Sequence, residues 1–391
     1  MRLTRAKSGT RNKDPKRRRK RVILAVASIL IAGTVCGLVY SWLSVPKMLN
    51  LDGHDVPGAG ARLPSGRDGA SAAWDGERAY LFGGRSGSIY FDQILRFDPA
   101  SATVKVMNAT LPSDRTYTSV IWNGTYVFIF GGRVNKEFLD QVLRYDPATD
   151  TISVMNATLP RGRDATSAVW DGRFAYIFGG LSDGKYLDEI LRYDPAADKM
   201  TVMKATLPGG RYATSAVWDG DRAYIFGGRK DQTFYDHIVL YDPVSDTADL
   251  MGTRLPSGRD VTSAIWDGKS AYIFGGYDGR VATDDILRFD PAAHTCKVMN
   301  GTLPSGRYGT SAIWDGRFAY VFGGVDRLVH FDQILKCNVG AYFAASMMPL
   351  FGIVFVALVA VLVIICIVAF VKVRRIRRED GPLKPSKGKM G

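Results

Sequence analysis

Tryptophan recurs every 48 residues, at Trp74, Trp122, Trp170, Trp218, Trp266 and Trp314, and glycine pairs keep step from Gly83-Gly84 to Gly323-Gly324. A period of this length means a solenoid, propeller or array, in which each unit buries its apolar face only against its neighbours. At 391 residues the chain can bury a core of ordinary size without a metal or a disulfide framework. Turn signals at Asp75-Gly76, Gly83-Gly84, Asp98-Pro99 and Leu111-Pro112 cut the first unit into four strand-sized pieces. These are strands a (69–74), b (78–83), c (92–98) and d (103–108). Four antiparallel strands per repeat make one propeller blade, so the expected fold is all-β, a six-bladed β-propeller. The Gly, Pro and β-branched content excludes a helical solenoid.

Composition within the unit agrees with a radial order. Strand a is Gly, Ala and Ser before its Trp, which suits a crowded axis. Strand b (AYLF, AYIF) is apolar on both faces, and strand d alternates Val104 and Val106 with Thr103 and Lys105, as a half-exposed outer strand does. The sixth unit has strands a, b and c only. Upstream of the first unit, residues 45–51 (VPKMLNL) resemble a strand d, so this segment is expected to complete blade six and close the ring, giving a propeller over 45–340.

The formal charge of +13 is carried by the two ends. Residues 1–21 hold eleven Lys/Arg against one Asp, residues 372–391 hold eight against two acids, and the stretch between is mildly acidic. That distribution excludes a nucleic-acid footprint on the repeats. Each basic tail abuts an uncharged apolar stretch: residues 22–43, and 345–371 with its most apolar part from Pro349 to Val371. Both are long enough to cross a hydrocarbon core of about 30 Å as helices. The first is longer than the apolar region of a cleaved signal peptide and is read as a signal anchor. Positive charge stays on the cytoplasmic side, which puts both tails inside, against anionic lipid, and the repeats outside or in a lumen. Closure by an N-terminal strand sends both spans out of one face. The Asp-Gly and Asp-Pro turns then point at the bilayer, and the b to c and d to a loops point away. Sequons at Asn108, Asn123, Asn156 and Asn300 are candidate glycosylation sites in such a compartment.

The glycine pair closing strand b, the strand c aromatic (Phe97, Tyr145, Tyr193, Tyr241, Phe289) and the Arg before strand a together resemble kelch repeats, over about residues 45–337. The Trp that kelch repeats usually carry in strand d is replaced by Val106-Met107, and Trp stands at the end of strand a. The resemblance implies a propeller that recognises a partner. Some kelch propellers resemble sugar oxidases or sialic acid epimerases, so a carbohydrate-active enzyme is the alternative, and a purely architectural surface unit a third reading.

Two sets of arginines are candidate ligand-binding residues. Arg67, Arg115, Arg163, Arg211, Arg259 and Arg307 recur before strand a and would ring the channel mouth, fit to clamp an anion or to pair structurally with Asp92, Asp140, Asp188, Asp236, Asp284 and Asp332. The ion-pairing role is the favoured one. Arg85, Arg133 and Arg229 follow the glycine pair in three blades only, and lie in the loops that vary between units. No cofactor or metal is implied: the four histidines are scattered, and no nucleophile or Cys-x-x-Cys motif is present. Cys296 and Cys337 fall toward one face of adjacent blades. They form either a bridge between blades five and six or two buried thiols in place of Val or Ile and of Phe or Tyr. The leading reading is a membrane-anchored recognition or scaffolding module that binds a protein or glycan through its outward loops.

Overall fold

The computed structural model describes residues 58–339; the basic tails and both apolar stretches lie outside the described residues. Five blades are four-stranded antiparallel sheets in the order a-b-c-d. Blade one is Ser71–Trp74, Ala79–Phe82, Gln93–Asp98 and Thr103–Thr110. In blades one to four the b to c connection adds a two-stranded hairpin, Arg85–Ser86 with Ile89–Tyr90 in blade one. Strand b is buried along its whole length, while strand d exposes alternate residues. The six strands a approach one another around the axis.

Blade six takes strands a, b and c from Tyr308–Trp314, Ala319–Asp326 and Gln333–Cys337, and its strand d from Gly58–Arg62. The ring is therefore closed from the N-terminal side, though the strand is not 45–51, which lies outside the described residues. Gly58 pairs with Leu335 and Arg62 with Gln333, as Val106 pairs with Leu95 and Thr110 with Gln93 in blade one. The closing strand sits one whole period before strand d of blade one, in phase with the Leu-Pro that follows each strand d. The period, not the local likeness of VPKMLNL, sets the register.

Neighbouring blades meet over apolar clusters built from strands b and c. The strand c aromatic reaches back to the strand b rings of the preceding blade: Tyr145 lies 5.6 Å from Tyr80 and from Phe82, and Phe97 lies 5.3 Å from Tyr320 across the seam between blades six and one. Such edge-on contacts favour packing beyond the area they bury. In blade six Cys337 stands in the aromatic position, buried between blades five and six. Cys296 packs instead between blades four and five. The sheet of blade five separates the two sulfurs, so of the two alternatives the bridge is absent and both cysteines are free thiols. Burial pushes each up to about 12.

The six arginines before strand a are 0–1% exposed. Each guanidinium donates to the carbonyl of the first glycine of its own pair: Arg67 to Gly83 at 3.2 Å, Arg115 to Gly131 at 3.5 Å, Arg307 to Gly323 at 3.2 Å. Their expected partners, the aspartates opening strand c, are not used. The guanidinium turns to the next residue, Gln93, Gln141, Glu189, Asp285 or Gln333. Asp332 and Asp236 pair with Arg62 and Arg254 on strand d instead. Burial pushes Arg67, Arg115 and Arg307 down to about 10, still charged at neutral pH. The backbone of each arginine also joins blades, since Gly84 N–H donates to Arg115 C=O and Arg115 N–H to Phe91 C=O. A Cβ on Gly83 would lie 2.2 Å from that Arg115 oxygen, which explains the first glycine of the pair.

Replacing Arg115 by Ala leaves the Gly131 carbonyl and Gln141 without a donor and opens a buried void, and should cost about 3 kcal/mol or more. Asp92→Ala should cost under about 0.5 kcal/mol, as an ordinary surface change does. Equilibrium unfolding in urea measures both, and equal effects would contradict the assignment of roles.

Candidate functional site

The antiparallel order puts the b to c hairpins and d to a loops on one face, where the residues after the recurring arginines form concentric rings. The innermost ring is Gly69, Tyr117, Ala165, Ala213, Val261 and Gly309, each with φ between +50° and +67°. Each donates its N–H to the carbonyl of its counterpart in the preceding blade, from Tyr117 to Gly69 at 2.7 Å round to Gly69 to Gly309 at 2.9 Å. Six peptide hydrogen bonds thus make a closed circle around the axis. The cavity behind it, about 160 Å³, is lined by strand a. There serine and threonine hydroxyls pair between blades, as in Ser119–Thr166 and Ser263–Thr310, both at 2.8 Å. At the seam Ala70 stands in the threonine position, and the Ser311 hydroxyl has no protein partner.

The next ring carries Asp68, Asp164 and Asp260 in alternate blades, all 0–2% exposed. Arg85, Arg133 and Arg229 turn to them: Arg85 Nε lies 3.3 Å from Asp68, Arg133 Nε 3.2 Å from Asp164 and Arg229 Nε 3.3 Å from Asp260. Arg85 meets the aspartate of its own blade, whereas Arg133 and Arg229, whose own blades offer Thr116 and Tyr212, reach to the next. These three guanidinium side chains are 25–30% exposed, the opposite of the six buried ones. Aromatic rings frame them: Tyr117 and Phe138 lie 5.5 Å and 5.8 Å from Arg85 and Arg133, and Tyr212 and Phe234 lie 5.0 Å and 5.2 Å from Arg229. Arg229 also hydrogen-bonds the Tyr212 hydroxyl.

Desolvation dominates Asp164 and Asp260. Burial raises Asp164 to about 6 against the pull of Arg133 and Arg85, and raises Asp260 to about 7 against Arg229. Burial therefore makes Asp260 a weak counter-charge for Arg229. A half-exposed guanidinium between aromatic walls and beside a carboxylate reluctant to ionise can accept an anionic or planar polar group.

The structure brings Arg85, Arg133 and Arg229 together on this face and withdraws Arg67, Arg115, Arg163, Arg211, Arg259 and Arg307 into the fold. Asn108, Asn156 and Asn300 are exposed on strand d. Asn123 is half-buried, its side-chain oxygen accepting from Thr125 and Tyr126 N–H. His294 lies in a c to d turn and His330 in a hairpin of the other face. Among the described residues no three His, Cys, Asp or Glu side chains are placed to hold a metal ion. Sequence reasoning missed the acidic ring. Its signal was present as Gly-Arg-Asp at 66–68, 162–164 and 258–260, where other units have Asp-Arg-Thr or Gly-Arg-Tyr.

A family model described as the KLHDC2/KLHL20/DRC7 Kelch-repeats domain matches residues 49–206 and again 197–341, together most of the chain. No curated protein matches the sequence.

A carboxyl raised in the folded state costs stability as pH climbs from its unfolded value, near 4, to its folded one. Asp260 should therefore weaken the fold between about pH 4 and pH 7. Asp260→Asn should equal the parent at pH 4 and exceed it at pH 8 by on the order of 1 kcal/mol or more. Melting curves that stay parallel across this range would contradict a protonated Asp260.

Proposed function

Because the chain belongs to the kelch-repeat family through residues 49–341, we propose that it is a membrane-anchored recognition or scaffolding module, binding a protein or glycan through the face of b to c hairpins. One observation carries this reading. The two faces of the disc are built by the same repeat, yet the turns of one are nearly uniform and the hairpins of the other differ in every blade: RSGSIYF, RVNKEFL, LSDGKYL, RKDQTFY, YDGRVAT and VDRLVHF. Variation on a constant scaffold concentrates where a molecule meets something else. The half-exposed Arg133 and Arg229 with their aromatic walls lie within that varied face.

Anchoring is supported by the two apolar stretches, 22–43 and 345–371, and by the basic runs on their outer sides. It is also consistent with where the described chain begins and ends. Gly58 opens strand d of blade six and Cys337 closes its strand c, and in an antiparallel pair these ends share one face, the one opposite the hairpins. The varied face would then look away from the bilayer, with the tails against anionic lipid. Asn108, Asn156 and Asn300, exposed, are better acceptors for glycan than Asn123, whose carboxamide is engaged.

Two measurements on the full chain separate the parts of this reading. In sealed vesicles, protease on the cytoplasmic side should trim both tails and spare the repeats; digestion of the repeats would remove the anchoring and leave the face untouched. On a peptide and glycan array, bound probes should lose at least tenfold in affinity with Arg133→Ala/Arg229→Ala and keep it with Val244→Ser, a change in a c to d turn. Probes that respond only to the second variant would put recognition on the uniform face.

A further inference from the structure

The hairpin tips divide the varied face into two unlike halves. At the tip position before the recurring aromatic, blades two, three and four carry Glu137, Lys185 and Thr233, whereas blades five, six and one carry Val281, Val329 and Ile89. These three apolar side chains are 54%, 59% and 63% exposed, and Leu328 beside Val329 is 93% exposed. Because the ring closes between blades six and one, the three blades are contiguous. The other large apolar side chains exposed among the described residues are single Val or Leu residues spread one per blade on strand d, and Val244 in a c to d turn. A clustered apolar patch on an otherwise polar face marks an interaction surface.

Two of the three hairpins of the patch are tied together. Gly87 N–H donates to His330 Nε2 at 2.9 Å, tying the hairpin of blade one to that of blade six. His330 Nδ1 in turn lies 3.0 Å from the buried Asp68. A surface fixed in this way loses little conformational entropy when it docks.

Its charges identify the occupant. Asp278 and Arg280 precede Val281, and Asp326 and Arg327 precede Leu328, so acid and base alternate and cancel. Arg280 and Arg327 are exposed and make no ion pair among the described residues. A neutral patch does not select a strongly acidic or basic partner. Under a twofold axis, however, the arginines of one copy meet the aspartates of the other while the apolar tips meet each other. We propose that the sector of blades five, six and one is a self-association surface, through which two copies of this chain dock isologously. The polar half of the face, with Arg133 and Arg229, stays free for a ligand, so this inference stands apart from the recognition reading above.

Sedimentation of the purified full chain in a non-ionic detergent, over a range of concentrations, tests it. A concentration-dependent dimer is expected. Leu328→Glu, at a side chain with almost no contacts to lose, should raise the dissociation constant at least tenfold, and Val244→Glu, 89% exposed in a turn of the opposite face, should leave it unchanged. A chain that is monomeric at every concentration overturns the proposal. So does a dimer that Leu328→Glu leaves intact, since its contact would lie elsewhere, or one that both variants weaken alike.

Discussion

One arginine per blade holds the ring. Its N–H donates to the preceding blade, its C=O accepts from a glycine of that same blade, and its side chain donates to the glycine carbonyl of its own, as Arg67 does with Phe331, Gly324 and Gly83. Three links from one residue join the d to a loop, the neighbouring sheet and the b to c turn. The guanidinium must be buried to do this, and among the described residues only Arg163 and Arg259 make an ion pair with a carboxylate. The compensation comes from carbonyls, hydroxyls and amides, and in three blades from an aromatic face, Phe91, Tyr235 or Phe331, at 4.1–4.3 Å. The first glycine of each pair follows from the same constraint, because the arginine carbonyl occupies the space where a side chain would go, and a Cβ on the second would press on its own blade, 3.0 Å from the Asp68 carbonyl at Gly84.

What lies outside this stitch is free to differ. The hairpins emerge after the glycine pair and reach neighbouring blades through side chains, Arg133 to Asp164, Arg229 to Asp260 and, at the seam, His330 to Gly87 and Asp68. The innermost ring is less free: Tyr117, Ala165, Ala213 and Val261 take a left-handed backbone that glycine fills most easily, and hold it because the circle of peptide bonds demands it. Arg85, Arg133 and Arg229 stand just beyond that circle, each beside a buried aspartate and itself 25–30% exposed. The recognition proposed for this face depends on this boundary between the fixed and the variable.

The period made the blade count, the strand order and the varied face legible in the sequence, because each is set by spacing and by turn residues that act locally. The misreadings came where a local pattern competed with the period or where partners are set by three-dimensional direction. VPKMLNL looks like a strand d, but only Gly58–Arg62 lies in phase. Arg67 and Asp92 recur with equal regularity, yet the strand turns the adjacent Gln93 toward the guanidinium. Between a bridge and two buried thiols at Cys296 and Cys337 the spacing did not choose; each faces the blade before its own, so a sheet divides them and the thiols stay free. The acidic ring was written as three Gly-Arg-Asp triplets, and their meaning depends on burial that spacing does not report.

If the arginine stitch closes the ring as one unit, the amides of Gly84, Gly132, Gly180, Gly228, Gly276 and Gly324 are equivalent, each bonded to the arginine carbonyl of the next blade. Native-state hydrogen exchange reads them one by one. The account predicts that all six exchange only through global unfolding, with a common free energy, Gly324 at the seam included. Exchange of Gly324 through a local opening, well below the other five, would show that the ring is a row of blades with a loose end and not a closed circle.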